Sequence, residues 1–228
     1  MLYGYLPAIL DGLSLTLRLA AVSLAIACGF GLLGAIAKLS GSKAARVIAD
    51  AYTTLIRGLP ELVLMLLIFY GGQSLVNSVV QKMGGEYLDI NPFLAGTATI
   101  GFIYGAYLTE TFRGAILAIP RGQIEAGSAF GLSFGQVLWR ITIPQMIRHA
   151  IPGFTNNWLV MVKATALVSI IGLDDMVHRA NLASATTRQP FSFYIAIALI
   201  YLAITTLSLV ALHFLEKRYS LGVKKADF

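Results

Sequence analysis

Five long apolar runs, separated by short polar stretches, dominate this chain. Leu13 to Ala37 is apolar apart from Arg18. Leu62 to Val80 is strongly apolar as far as Tyr70, then turns amphipathic at Gln73, Ser74 and Asn77. Phe93 to Ala118 contains Glu110, and Phe154 to Leu173 contains Asn156, Asn157 and Lys163. Phe191 to Leu215 has no Asp, Glu, Lys or Arg. About 20 mostly apolar residues in a helix cross about 30 Å of hydrocarbon. The runs therefore predict an all-α integral membrane protein with about five transmembrane helices, at 13–37, 62–80, 93–118, 154–173 and 191–215, in one domain covering 1–228. The first run is too long for a signal-peptide core and no basic stretch precedes it, so it reads as a retained helix.

Composition agrees. Hydrophobic residues make up 57% of the chain and charged ones 12%, against about 25% charged in soluble domains. The 228 residues leave no room beside the spans for a separate soluble domain of about 100–150 residues. The net charge is +6, which in a membrane protein points to basic cytoplasmic loops before it points to nucleic acid. Twelve basic residues fall on one side of the five spans: Lys38, Lys43, Arg46 and Arg57 before the second, Arg113, Arg121, Arg140 and Arg148 between the third and fourth, and Lys217, Arg218, Lys224 and Lys225 in the tail. Lys82, Arg179 and Arg188 fall on the other. That bias predicts a cytoplasmic C-terminus and a periplasmic N-terminus. The single Cys28 excludes an internal disulfide.

One internal loop, 119–146, is polar enough to leave the bilayer yet is patterned. Pro120 and Gly122 break the helix before it. Gln123 to Phe130 has room for two helical turns, with Glu125 where an acid suits the helix dipole. Gly131 is suited to the left-handed conformation that ends a helix. Ser133 and Gln136 spell a capping box, so a second helix starts there and ends or bends before Pro144. An amphipathic segment resting on lipid headgroups fits this pattern equally well.

Glu125-Ala126-Gly127, then Gly131, then Ile141-Thr142-Ile143-Pro144 resembles the EAA motif of ABC-importer permeases. It departs at Gly127, where the family has alanine, and at Ile143, where it has leucine. Ile56 to Pro60, Ala106 to Gly114 and Val162 to Ser169 resemble the polar amino-acid branch of that family. The run Tyr52 to Gly71 resembles the Q-type subunits of its histidine, lysine, arginine and ornithine systems. The resemblance implies a type I importer permease in the bacterial inner membrane. Its partners would be a related permease subunit, forming a heterodimer, an ATPase homodimer that binds ATP and Mg, and a periplasmic substrate-binding protein. A polar, basic amino acid would be the cargo. Glu125, Ala126, Gly127, Gly131, Ile141 and Pro144 would form the coupling helix seated on the ATPase. The chain itself has no Gly-x-x-x-x-Gly-Lys-Ser/Thr phosphate loop, so hydrolysis belongs to another chain and no cofactor is expected in this one.

Ionisable groups within spans are functional candidates by default. Glu110 is open to two uses: meeting a cationic substrate, or pairing with Arg113 one turn away or with Lys163. Lys163 is open to holding a substrate carboxylate or pairing with Glu110. Glu61 stands where many members of the resembling family have an apolar residue, which makes it a candidate for selectivity toward basic amino acids. Asn157 lines the pathway or serves an interhelical hydrogen bond. Gly29, Gly31 and Gly34 match a dinucleotide fingerprint, but no strand precedes them, so they predict close helix packing, as do Gly101 and Gly105. No residues are expected to be catalytic or to bind metal. A secondary transporter would need an internal repeat, and none is convincing. An intramembrane enzyme would need a catalytic constellation, and adjacent Asp174 and Asp175 point different ways on a helix.

Overall fold

The computed structural model describes residues 2–219, and Lys224 and Lys225 of the basic tail lie outside them. Helix α1 spans Leu6–Leu39, α2 Lys43–Gly58, α3 Glu61–Lys82 and α4 Pro92–Leu117. Two short helices follow, α5 Arg121–Ala129 and α6 Phe134–Val137. A π-helical turn, Leu138–Thr142, joins α6 to α7, Ile143–Ala164, which runs on as a 3-10 stretch, Thr165–Ile171. The described residues close with α8, Met176–Thr187, and α9, Pro190–Tyr219. No strand occurs among the described residues.

Among the described residues, four stretches are long and apolar enough to cross a bilayer: α1, α3, the continuous Phe134–Ile171 and α9. The fifth long helix, α4, is the centre of the bundle, packed by α1, α2, α3 and α7. Its apolarity is diluted by Gly96, Thr97, Thr99, Gly101, Gly105 and Thr109, all facing protein rather than lipid. A helix sheathed by other helices is chosen for close packing, and small residues provide it.

α1 and α4 lie together along most of their length. A Cβ on Gly31 would stand 2.7 Å from Leu108 Cβ, and one on Gly105 would stand 2.5 Å from Phe30 Cβ. Gly34 meets Thr109 in the same way, and Gly101 meets Ile26. The small-residue pattern is thus a helix seam. Gly29 is not part of it and has nothing within 4 Å.

Polar positions within the runs also find structural partners. Gln73 and Asn77 of α3 hold the loop before α4. Asn77 exchanges hydrogen bonds with Leu88, donating at 2.9 Å and accepting at 2.7 Å, and Gln73 accepts from Ile90 N–H at 2.9 Å.

Two helices among the described residues, α2 and α8, lie outside both the five predicted spans and the patterned loop. α2 is capped by Ser42, which accepts from Ala45 N–H. It buries Ala49, Thr53 and Ile56, and Tyr52 stacks with Phe30 and Phe102 at centroid distances of 6.5 and 4.9 Å. α8 is capped by Asp175, whose Oδ1 accepts from His178 N–H at 2.9 Å. Asp174 and Asp175 do diverge: Asp174 faces solvent and binds Arg179 at 2.9 Å. Asp175 is 1% exposed, and its Oδ2 finds no partner among the described residues. Of the two courses the pattern allowed for the helix entering α7, an end or a bend before Pro144, it does not end there. It continues through a π turn, whose looser bonding accommodates a residue with no N–H.

The α1–α4 seam gives a stability prediction. Gly31→Val should destabilise the chain by about 1–3 kcal/mol through overpacking, whereas Gly29→Ala should leave stability within about 0.5 kcal/mol. Thermal unfolding in detergent measures both.

Burial gives a second. Desolvation pushes the Asp175 carboxyl from 3.8 up to about 6, against the lowering effect of the His178 N–H and imidazole, and with Asp174 adding a small upward push. The Tyr201 hydroxyl also lies within electrostatic reach. A raised folded-state pKa in an acid means that the fold binds the extra proton. Its contribution is therefore favourable at about pH 4 and lost as pH rises toward about 6, at most about 1.4 kcal/mol per pH unit. Asp175→Asn should flatten the difference in melting temperature between pH 4 and pH 6.5 relative to wild type.

Candidate functional site: a projecting turn and a charged cleft

The patterned loop folds as a helix, a left-handed turn and a second helix. Gly131 takes φ +81°. The turn is closed by Gly131 N–H donating to Ser128 O at 3.0 Å and Leu132 N–H donating to Gly127 O at 3.1 Å. Ser133 and Gln136 form the predicted capping box. Gly127 is the buried residue of α5, and a Cβ there would stand 2.5 Å from Ile141 Cδ1. The departure from alanine therefore lets α5 rest directly on Ile141. Gln145 of α7 ties to Gln123 at 2.6 Å. Ala126, Gly127, Ile141 and Pro144 line one open cleft of about 580 Å³ between α5 and the π turn. Glu125 is exposed on the far face. Phe130 and Phe134, flanking Gly131, are 89% and 84% exposed. Sequence reasoning did not single out these two aromatics. The available signal was the presence of two phenylalanines on either side of Gly131, in a segment expected to leave the bilayer.

The four membrane-depth candidates have separate surroundings. Glu110 accepts from Arg113 Nε and Nη2 at 3.0 and 2.9 Å and also pairs with Lys38. Lys38, from the last turn of α1, additionally binds Asp50 at 2.8 Å and Thr53 Oγ1 at 2.7 Å. Its side chain is 8% exposed, so the cluster welds α1, α2 and α4 together. Arg113 was an expected partner of Glu110, and Lys38 was not, because 72 residues separate it from Glu110. Lys163 does not join them. It is exposed, and no ion pair engages it among the described residues.

Asn157 donates to Thr111 Oγ1 at 2.9 Å, an α7–α4 hydrogen bond. Glu61, the first residue of α3, accepts from the Tyr104 hydroxyl at 3.0 Å with each carboxylate oxygen. Beside it, the Tyr104 and Tyr107 rings lie 5.6 Å apart, and the Arg57 guanidinium sits 5.5 Å above Tyr107. An open cleft of about 480 Å³ is bounded by Lys38, Thr53, Thr54, Arg57, Tyr107 and Glu110.

Comparison with known proteins places these features in a family. Residues 29–221 match the family described as the binding-protein-dependent transport system inner membrane component. The chain is 54% identical over 227 residues to the histidine/lysine/arginine/ornithine transport system permease protein HisQ of Escherichia coli K12, covering all of both chains. It is 40% identical to the arginine ABC transporter permease protein ArtQ of Haemophilus influenzae, over 96% of this chain and 97% of that one. A crystal structure of an amino acid ABC transporter with histidines superposes with a TM-score of 0.79 at 33% identity, covering 94% of this chain and 95% of that one. The MetNI methionine transporter, at 15% identity and a TM-score of 0.66, shares the fold. Motif, fold and sequence agree, and the chain belongs to the family of inner-membrane permease components of binding-protein-dependent ABC transport systems.

Proposed function

We propose that this chain is one of two related permease subunits of an ATP-driven importer of basic amino acids, with its N-terminus in the periplasm and the α5–α6 turn in the cytoplasm. The cargo class rests on the relatives, whose names specify histidine, lysine, arginine, ornithine and octopine. The orientation rests on the distribution of basic residues, twelve against three. The heterodimer rests on the likeness to a Q-type subunit.

The observation that carries the coupling role is the projecting turn. Phe130 and Phe134 stand out as apolar anchors of the type that dominates interface energies, and exposed Glu125 offers a carboxylate to a basic group across the contact. Glu125, Ala126, Gly127, Gly131, Ile141 and Pro144 divide the work: Glu125 faces the ATPase, Gly131 shapes the turn, and Gly127 with Ile141 braces it. Force arriving at the turn passes through Gln123–Gln145 and Gly127–Ile141 into α7. α7 crosses the membrane and binds α4 through Asn157. Closure of the ATPase pair on ATP and Mg then tilts α7 against α4 and switches access from one side to the other. Lys163, exposed on α7 with no ion-pair partner, faces the partner permease or the pathway between them, while Glu110 is structural.

Purification of the tagged chain from native membranes should bring an ATPase and a second, related permease. A chain recovered alone, or only with itself, under conditions that preserve such complexes overturns the reading. Gly131→Leu forces a branched side chain into the left-handed region, an unfavourable conformation by about 1–2 kcal/mol. The assembled transporter should then hydrolyse ATP with uptake lost, and unchanged uptake would count against the coupling assignment. Replacing Phe130 and Phe134 together by alanine should weaken retention of the ATPase by about tenfold or more, read from its dissociation during a wash series.

A further inference from the structure

One further cavity differs in chemistry from both clefts described above. It encloses about 570 Å³ between α1, α4, α7 and α9, with Leu32 and Ile36, Phe112, Ile147 and Ile151, and Leu215 among its walls. No charged side chain lines it, whereas Lys38, Arg57 and Glu110 bound the charged cleft and Arg140 the cleft beside α5. Its place along the helices is one-sided: Ile36 is in the last turn of α1, and Leu215 is close to the described end of α9. The α1 wall from Cys28 to Ile36 rises about 12 Å and the α7 wall from Ile143 to Phe154 about 16 Å, against about 15 Å for the hydrocarbon of one leaflet. Beyond that depth α8 fills the gap, packing on both α1 and α9 and burying Ile9, Met176, Ala180 and Phe193 in one cluster. The groove is therefore one leaflet deep. A spanning helix of a partner needs the whole thickness and meets α8, while an acyl chain needs only this half.

The end of the groove nearest the α5–α6 turn has the chemistry of a headgroup region. Trp139, on the π turn, is a wall residue that is 70% exposed, and tryptophan concentrates at membrane–water interfaces. Arg218 follows Leu215 by three positions, on the same side of α9, and is exposed, as is Lys217. Arg121, also exposed, opens α5 just past the end of α4. Glu216 offsets one of these charges and leaves the rim net positive.

We propose that this groove binds an acyl chain of an anionic phospholipid from the cytoplasmic leaflet, with the lipid phosphate facing Arg218, Lys217 and Arg121. The proposal goes beyond the importer reading and involves no cargo: it needs α1, α7 and α9 in a bilayer and takes the leaflet from the orientation proposed above. The apolar walls take the chain, and the basic rim selects the headgroup, because juxtamembrane Lys and Arg attract anionic lipids. The bound chain lies along the π turn and the first half of α7, filling space that the fold leaves open beside the coupling segment.

The test uses the transporter purified with its own subunits and placed in liposomes. Phosphatidylglycerol and phosphatidylcholine, each with a photoactivatable diazirine midway along one acyl chain, are added in parallel. After irradiation, lipid-bearing peptides of this chain are mapped by mass spectrometry. Label should concentrate in 28–36 and 143–154, with phosphatidylglycerol favoured there about tenfold or more, and Arg218→Gln should lower that preference about fivefold. Leu32→Trp, which fills the groove from a position 39% exposed, should abolish groove label and leave label elsewhere unchanged. If Leu32→Trp fails to assemble, the two lipids on wild type and Arg218→Gln carry the test. Equal groove label from both lipids, or groove label no denser than on the rest of the chain, marks bulk-lipid contact only and overturns the proposal. An unlabelled groove in a complex whose other apolar surfaces label overturns it too, since a protein subunit then covers the groove. None of these outcomes depends on uptake, so failure of the importer reading is seen separately.

Discussion

Helices surrounded by hydrocarbon gain little from burying leucine against leucine, because lipid tails are as apolar as the side chains they replace. How closely two backbones approach therefore decides which helices stay together. In this chain the decision is made between α1 and α4, where Gly31, Gly34, Gly101 and Gly105 remove the side chains that would hold the helices apart. The seam places α4 in the middle of the bundle. That position lets its threonines and tyrosines face protein, and it brings Glu110 to the last turn of α1, where Lys38 meets it. The polar cluster that fastens α2 to the bundle is thus a consequence of glycine packing as well as of charge.

The polar side chains inside the long helices fall into two kinds. Gln73, Asn77, Asn157, Lys38 and Glu110 have partners in the chain, and each joins two segments distant in sequence. Their chemistry is used up in architecture. Glu61 and Lys163 are of the other kind: neither enters an ion pair within 4 Å among the described residues, and Glu61 is held by the neutral Tyr104 hydroxyl instead. A bilayer enforces this distinction more sharply than water would, since a charge without a counterpart there is not simply hydrated.

Much of the architecture was legible because its determinants are local. Twenty-residue apolar runs announce themselves, and the turn at Gly131 needs only a few neighbouring letters: a glycine for the positive φ, then Ser133 and Gln136 to restart the helix. The glycine seam was legible as a spacing, though the spacing could not show that Gly29 points away from it. The helices α2 and α8 were harder to see. Neither is long enough to signal a span, and the caps at Ser42 and Asp175 are single residues in polar surroundings. Among the site candidates, Arg113 lies one turn from Glu110 and could be named. Lys38 counted as a cytoplasmic loop charge, because nothing within 72 residues reveals that α1 runs far enough to deliver it. Tyr104 and Tyr107 looked like ordinary members of an apolar run until the fold set Glu61 beside them.

The unbroken course from Phe134 to Ile171 has a mechanical consequence. Pro152 lies near its midpoint and removes one backbone hydrogen bond there, the commonest way to give a helix a bending point. On one side, 18 residues rising about 1.5 Å each make an arm of about 27 Å; on the other, α-helix followed by a 3-10 stretch makes about 30 Å. A bending point there divides the member into two arms of nearly equal length, so the two halves are able to change their mutual angle without either losing its own helical hydrogen bonds. A displacement at Phe134 is carried to Ile171 only to the extent that the helix stays straight at Pro152.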